Sequence, residues 1–335
     1  MRSRYVVFEK PFKVSIKEEE VREPKAHEVV IKTHCTLISI GTELTAYSGQ
    51  FPKPSRWAEY VKYPFRPGYC NVGEIVKVGS HVRQFKPGDR VASLGGHAEY
   101  VTIPENELIK VPDEVSNDEA TFHTIAVGVM NSVRLAKASL GDLVVVIGLG
   151  LLGQMATIFS RLSGAFPLIA VDLSDFRLKL AKQSGAHYVI NAQREDVYSM
   201  VYEISEGRMA DIVFEVTGNP NVIPMAIKLV RSLGKLVILS SPRGPTTLDF
   251  HDEVNAPSRI IIGTHFGSQP KYETLHFPWT RKRNTELFFK LLKHRVISIK
   301  HLITHKFKWY EAEKVYSELW KDRTRFLGVI LEFQE

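Results

Sequence analysis

Three glycines, Gly148, Gly150 and Gly153, follow the apolar run LVVVI and open a stretch of helical periodicity. At that spacing the first two permit a tight turn and a close backbone approach to a pyrophosphate. The third lets the helix pack onto the strand, and Leu151 and Leu152 then stand at a helix N-terminus whose amides face the phosphates. The next apolar run ends at Asp172, twenty-four residues after Gly148. A carboxylate there accepts hydrogen bonds from both ribose hydroxyls of a dinucleotide and repels a 2′-phosphate, so the expected cofactor is NAD. Leu173 flanks that carboxylate, and Arg177 is the nearby residue that would accept a phosphate instead. The alternative is a glycine-rich turn that binds nothing. A second point of chemical interest is the pair Tyr69–Cys70 in FRPGYC, which holds one of only two cysteines; Cys35 is the other. Two cysteines are too few for a disulfide framework or a four-cysteine zinc lobe.

These groups need elements to position them. Residues 1 to about 120 read as β-rich, with VVFEK, EVVIKTHCTLISI, EIVKVG, DRVASL and HAEYVTIP as strand candidates and KPGD and VPDE as turns. Many short, punctuated strands suggest a barrel or sandwich. From about residue 142 the rhythm changes. LVVVIGLG, PLIAVDL, HYVINA, DIVFEVTG, KLVILSS and RIIIGTH alternate with helical stretches such as LGQMATIFSRLSGA and FRLKLAKQSGA. Such alternation predicts an α/β fold with a doubly wound parallel sheet, in which Thr217 and Ser240 lie at strand ends where a dinucleotide crosses. TELFFKLLKHRVIS and EAEKVYSEL predict two closing helices, and GVILEF a last strand.

The chain of 335 residues has room for two domains, and its 44% hydrophobic and 24% charged content is that of a soluble globular protein. No apolar run reaches the ~18 residues of a membrane span, and no signal-peptide core is evident. With the cysteines so few, a reducing cytoplasm is expected. The net charge of +7 is scattered apart from Arg281–Lys282–Arg283. Without an aromatic-interleaved basic stripe, neither nucleic acid nor membrane is an expected partner, and the charge reads as solvated surface.

Ile40-Gly-Thr-Glu43, Pro67-Gly68, Gly73 with the following EIVKVGS, FKPGDRV at 85–91, GHAEYV at 96–101, the glycine turn and GTHFGS at 263–268 together resemble the medium-chain dehydrogenase/reductase superfamily. The resemblance runs over nearly the whole chain. It implies a GroES-like β-barrel catalytic domain made from residues 1–124 and 268–335, with a Rossmann NAD-binding domain of residues 125–267 inserted. It also implies a homodimer or homotetramer built by edge-to-edge pairing of RIIIGTHFG. Phe266, beside His265, matches the segment whose backbone holds the nicotinamide carboxamide.

Matching motifs puts Ile40, Tyr69 and His123 at the three catalytic-zinc positions of the family's alcohol dehydrogenases. Ile40 cannot ligate and Tyr69 is a poor ligand, so no metal is expected. Cys70 falls where the family has a glutamate, and the four-cysteine lobe has no counterpart between Tyr100 and Val111. Hydride transfer from a secondary alcohol then needs a proton acceptor and hydrogen-bond donors at the oxygen. His123 suits a general base. Tyr69 suits a donor to the alkoxide or, with a lowered pKa, an acid/base. Glu43 stands where the family's ligand-orienting aspartate would be; it would fix or polarise Tyr69 or His123, or become the base itself. Thr42 matches the proton-relay hydroxyl. Structural alternatives stand beside each: His123 as a satisfied histidine at a helix start, Tyr69 as filler, Glu43 as partner to backbone amides, Cys70 as core. Trp57, Tyr60, His265 and Trp279 are candidate substrate contacts, or else core and interface aromatics.

The expected function is therefore zinc-independent, NAD-dependent interconversion of a secondary alcohol (polyol, cyclitol or sugar-like) and its ketone. An enoyl or quinone reductase is one alternative, opposed by Asp172 and IGTEL. A non-catalytic dinucleotide-binding protein is the other.

Overall fold

Alternating apolar residues fold the N-terminal third as strands. In the computed structural model, which describes residues 1–334, Arg2–Lys10 (β1) and Lys13–Glu20 (β2) form an antiparallel hairpin. Glu28–Leu37 (β3) buries Val29, Val30 and Ile31 completely. Helices Ile40–Ser48 (α1) and Arg56–Tyr60 (α2) follow. Asn71–Val78 (β4), Arg90–Ser93 (β5), Tyr100–Pro104 (β6) and Ile109–Lys110 (β7) come next, and then Asn117–Ala120 (α3). The strand expected through ISI is shorter than the apolar run suggests, because Ser39 takes the N-cap position of α1. Glu43 reaches back to accept from the Ser39 amide at 2.8 Å, occupying a donor that a helix start leaves open.

His123–Ala136 (α4) leads into six strands: Val144–Ile147 (β8), Leu168–Asp172 (β9), Tyr188–Asn191 (β10), Ala210–Glu215 (β11), Val230–Ile238 (β12) and Ile260–Gly263 (β13). They form one parallel sheet in the order β10-β9-β8-β11-β12-β13. Leu151–Leu162 (α5), Asp175–Gln183 (α6), Val197–Ile204 (α7) and Ile223–Lys228 (α8) make the connections. Val144, Val145 and Val146 are fully buried, as a central strand covered on both faces requires. The strand order reverses between β8 and β11, which opens a ligand crevice at the C-terminal ends of these strands.

Arg281–Lys293 (α9), Ile303–Lys308 (β14), Ala312–Lys321 (α10) and Gly328–Glu332 (β15) bring the chain back. Strand β15 pairs with β3, so the seven-stranded sheet β14-β15-β3-β4-β5-β7, with β6 also on β3, joins both ends of the chain. Helix α10 buries Val315, Tyr316 and Leu319 in one cluster with Val6, Phe8 and Leu44.

The chain divides into two units: Met1–Thr124 with the chain from Lys282 onward, and Ile125–Arg281. The expected second boundary at 267/268 therefore moves to Arg281. The reason is local: the Arg134 guanidinium lies 3.3 Å from the centre of the Trp279 ring, and that of Arg281 5.9 Å from Phe266. These stacks tie the segment to the parallel-sheet unit. Among the described residues no helix is long and apolar enough to cross a membrane.

Candidate active site

The glycine turn follows β8. Gly148 has φ +91°, and a Cβ there would lie 2.8 Å from Thr217 Cγ2. Gly153 brings α5 so close that a Cβ would fall 1.9 Å from the Gly148 carbonyl oxygen. Gly150 faces open space and caps α5 with no side-chain hydrogen bond. The first amides of α5, from Leu151, Leu152 and Gly153, have no partner within the helix, an arrangement that favours negative charge nearby.

Asp172 braces this turn. Its Oδ2 accepts from the Leu149 amide at 2.6 Å, and its Oδ1 accepts from the amides of Leu173 and Ser174 at 2.8 and 2.9 Å. The Arg177 guanidinium stands 4.0 Å from the same carboxylate. The buried Gln154 amide donates to the Leu149 carbonyl at 3.3 Å and the Arg177 carbonyl at 2.9 Å, joining the two segments. Thr217 and Ser240 both donate their hydroxyls to Glu215, which the sequence did not single out. His265 is exposed and accepts from the Gly267 amide at 3.1 Å, while Phe266 lies against Gly128. All the sequence-predicted cofactor residues thus gather beyond the C-terminal ends of β8, β9, β11, β12 and β13.

In the barrel unit, the Thr42 hydroxyl lies near Tyr69, whose own hydroxyl donates to Ser39 Oγ. Burial above all pushes the Tyr69 phenol above its usual range, with the Glu43 charge adding to it; the neighbouring Ser39 and Thr42 hydroxyls oppose this in part. The expectation of a lowered pKa is thereby corrected, and Tyr69 is a proton-bearing donor at neutral pH. His123 is buried at the start of α4, next to Thr124, whose hydroxyl donates to the Tyr69 carbonyl at 2.9 Å. Cys70 is fully buried and its thiol is pushed up by that burial, so it belongs to the core.

Glu43 is placed differently from the expectation that it acts directly on Tyr69 or His123. It is 2% exposed, and besides the Ser39 amide it accepts from the Tyr316 hydroxyl and from His97 Nε2 at 2.9 Å. With the proton on Nε2, His97 Nδ1 accepts from the Thr36 hydroxyl at 2.7 Å. These donors commit the carboxylate to structure, and its link to Tyr69 runs through Ser39. His97, Tyr316 and Ser39 were all missed. A serine ahead of an acidic first turn was a legible signal for Ser39, whereas Tyr316 lies 273 residues from Glu43 and had none.

Trp57 stacks on Phe51 with ring centres 6.5 Å apart, and Tyr60 meets Phe65 edge-on at 5.4 Å. Tyr60 is exposed. Trp57 and Tyr60 belong to the barrel unit, and His265 and Trp279 to the other. A groove of about 510 Å³ on the barrel unit borders Tyr5, Arg66, His97 and Tyr100, but not Thr42, Tyr69 or His123.

Two family models match the chain: alcohol dehydrogenase GroES-like domain over residues 25–113, and zinc-binding dehydrogenase over residues 152–279. An L-threonine 3-dehydrogenase of Bacillus licheniformis is 28% identical over 327 residues, covering 86% of this chain and 87% of its own length. The chain belongs to the medium-chain dehydrogenase/reductase superfamily. Its two-domain α/β fold, a GroES-like barrel with a Rossmann domain, is also that of two solved structures. One is an alcohol dehydrogenase from Escherichia coli CFT073 complexed with NADH (TM-score 0.85, 21% identity, 99% of both chains covered). The other is a dehydrogenase from Sinorhizobium meliloti bound to NADP (TM-score 0.83, 19% identity, 99% of both chains covered). Membership of this superfamily places the protein among the oxidoreductases.

The superfamily's zinc-type members raise the question of whether these residues fit a metal. They do not. At the matched positions Ile40 has no donor atom and burial keeps the proton on the Tyr69 phenol, which leaves His123 as the single donor. Among the described residues no group of three or more His, Cys, Asp or Glu side chains is arranged to hold an ion.

Proposed function

We propose that this oxidoreductase interconverts a secondary alcohol and its ketone with NAD and without zinc, acting on a polyol, cyclitol or sugar-like substrate. The observation that carries the proposal is the Tyr69–Ser39–Thr42 hydroxyl cluster at the position where zinc-type relatives bind their metal. The dehydrogenase relatives support the reaction class.

Bound NAD would supply the hydride acceptor, and its reduced form the donor. Gly148, Gly150 and the amides of Leu151, Leu152 and Gly153 receive the pyrophosphate. Asp172 Oδ1 already accepts two amides, so Oδ2 is the oxygen that retains lone-pair capacity for a ribose hydroxyl, and the carboxylate's charge, beside Leu173, opposes a 2′-phosphate despite Arg177. Thr217, Ser240, His265 and Phe266 take the nicotinamide half. Tyr69, when its hydroxyl turns from Ser39 to the substrate oxygen, donates to it with Thr42 as relay, and His123 accepts the proton. Glu43 positions Ser39 rather than touching substrate. Trp57, Tyr60, His265 and Trp279 are the proposed substrate contacts. A homodimer or homotetramer would form through β13, an open edge on which Ile260 and Ile261 are 49% and 38% exposed.

The test is a fluorescence titration with NADH and NADPH, followed by NAD-reduction assays on secondary alcohols, polyols and cyclitols. NADH is expected to bind at least ~10-fold more tightly than NADPH, the scale of one unfavourable charge contact at about 1.4 kcal/mol. Reduction of enones with NADPH would favour the enoyl or quinone reductase alternative. Tight NADH binding without turnover of any alcohol would favour a non-catalytic role.

A further inference from the structure

Glu215 ends β11 and is fully buried among apolar strand residues. Its Oε1 accepts from both the amide, at 2.7 Å, and the hydroxyl of Thr217; its Oε2 accepts from the Ser240 hydroxyl at 2.6 Å. Its backbone carbonyl accepts from the amides of Leu239 and Ser240 at 3.0 and 3.2 Å. One residue thus fixes the segments leaving both β11 and β12. Thr217 is in turn pressed against Gly148, the first glycine of the phosphate turn. Burying a carboxylate at this depth is costly, and an apolar side chain of similar size would fill the space more cheaply. What the carboxylate does is set polarity. Both hydroxyls spend their protons on Glu215, so outward they can only accept, and Thr217 Oγ1 already accepts from the Asn219 amide at 3.0 Å.

The order of strands divides the site. Strands β8–β10 carry the glycine turn and Asp172, the adenosine side; strands β11–β13 carry Thr217 and Ser240, the side of the second mononucleotide. The geometry points to Glu215 as a positioning residue for the nicotinamide mononucleotide half of the cofactor. It holds Thr217 and Ser240 as hydrogen-bond acceptors for donors on that half, such as ribose hydroxyls or the carboxamide NH2. This inference rests on the dinucleotide reading above.

NADH and AMP binding to the whole chain, measured by fluorescence and calorimetry, test it. Glu215→Ala is expected to weaken NADH at least 10-fold while leaving AMP within 2-fold. Glu215→Gln, which keeps an acceptor for Thr217 but turns an amide donor toward Ser240, is expected to give a smaller loss. If Glu215→Ala does not fold, Glu215→Gln and Ser240→Ala carry the same comparison, each with NADH at least 3-fold weaker and AMP unchanged. Equal losses for both ligands, or none for NADH, would overturn the inference. An unaltered protein that binds neither ligand would instead overturn the dinucleotide reading, and the inference with it.

Discussion

Each unit carries a buried carboxylate that gathers three side-chain and backbone donors, yet the two do different work. Glu43 takes its donors from the start of α1, from the segment before β6 and from α10, so it staples three stretches distant in sequence. Glu215 takes its donors from two strand ends, two and twenty-five residues away. The first stabilises the barrel behind the Tyr69 cluster; the second orders hydroxyls at the mouth of a sheet. Burial of a charge is therefore no guide to its role. Where its partners lead is the informative observation.

The largest effect that separates the two regions is expected in the glycine turn. Gly153→Val places side-chain atoms where even a Cβ would be 1.9 Å from the Gly148 carbonyl, so α5 must move and NADH binding should fall at least ~100-fold. Equilibrium titration checks this, and unchanged affinity would mean that the turn is not the phosphate site.

Glu43→Ala comes next, and it should act on stability rather than on chemistry. It strands the Ser39 amide, His97 and Tyr316 in the interior, at a cost of about 2–4 kcal/mol in urea unfolding. The folded fraction should keep kcat within a few-fold. A large fall in kcat with unchanged stability would return Glu43 to the catalytic set.

Tyr69→Phe and His123→Ala are expected to slow hydride transfer at least ~10-fold each, with NADH affinity nearly intact, somewhat below the usual range of acid–base effects. Single-turnover kinetics read this directly. Full activity in both would leave the cluster purely structural.

The contrast also explains what was legible in the sequence. The glycine turn is built from backbone within some twenty-five residues, so its shape and its spacing from Asp172 were legible without coordinates. The site around Tyr69 is built from side chains, and motif matching reached Thr42, Tyr69 and Glu43 but not what Glu43 holds. His97 and Tyr316 are joined to it only by tertiary packing. The start of α1 was hidden inside an apolar run, where the glutamate that reaches back to the Ser39 amide closes the helix start just after β-branched residues. Glu215 sat unnoticed at the end of DIVFE, where a polar residue closing a strand looks like ordinary solvent exposure.

The smallest expected effect lies at the rim of the barrel. The Arg22 guanidinium, at 2.9 Å, and then the Lys25 amide, at 2.9 Å, hold the Glu28 carboxyl down to about 2. A lowered folded pKa contributes stability above the usual 4.5 and loses it as pH falls toward 2. Because Arg22 is half exposed, that contribution is small. The difference in melting temperature between the wild type and Glu28→Gln should therefore be present at pH 7 and shrink by pH 3. A difference independent of pH would contradict this.

The central claim is that the hydroxyl cluster at Tyr69 stands in for a metal. The most direct measurement is turnover of a secondary alcohol by one preparation, before and after exhaustive chelation, with zinc content determined on the same samples. Activity that persists with zinc far below one ion per chain is the predicted result. Activity that vanishes on chelation and returns in proportion to added zinc would contradict it.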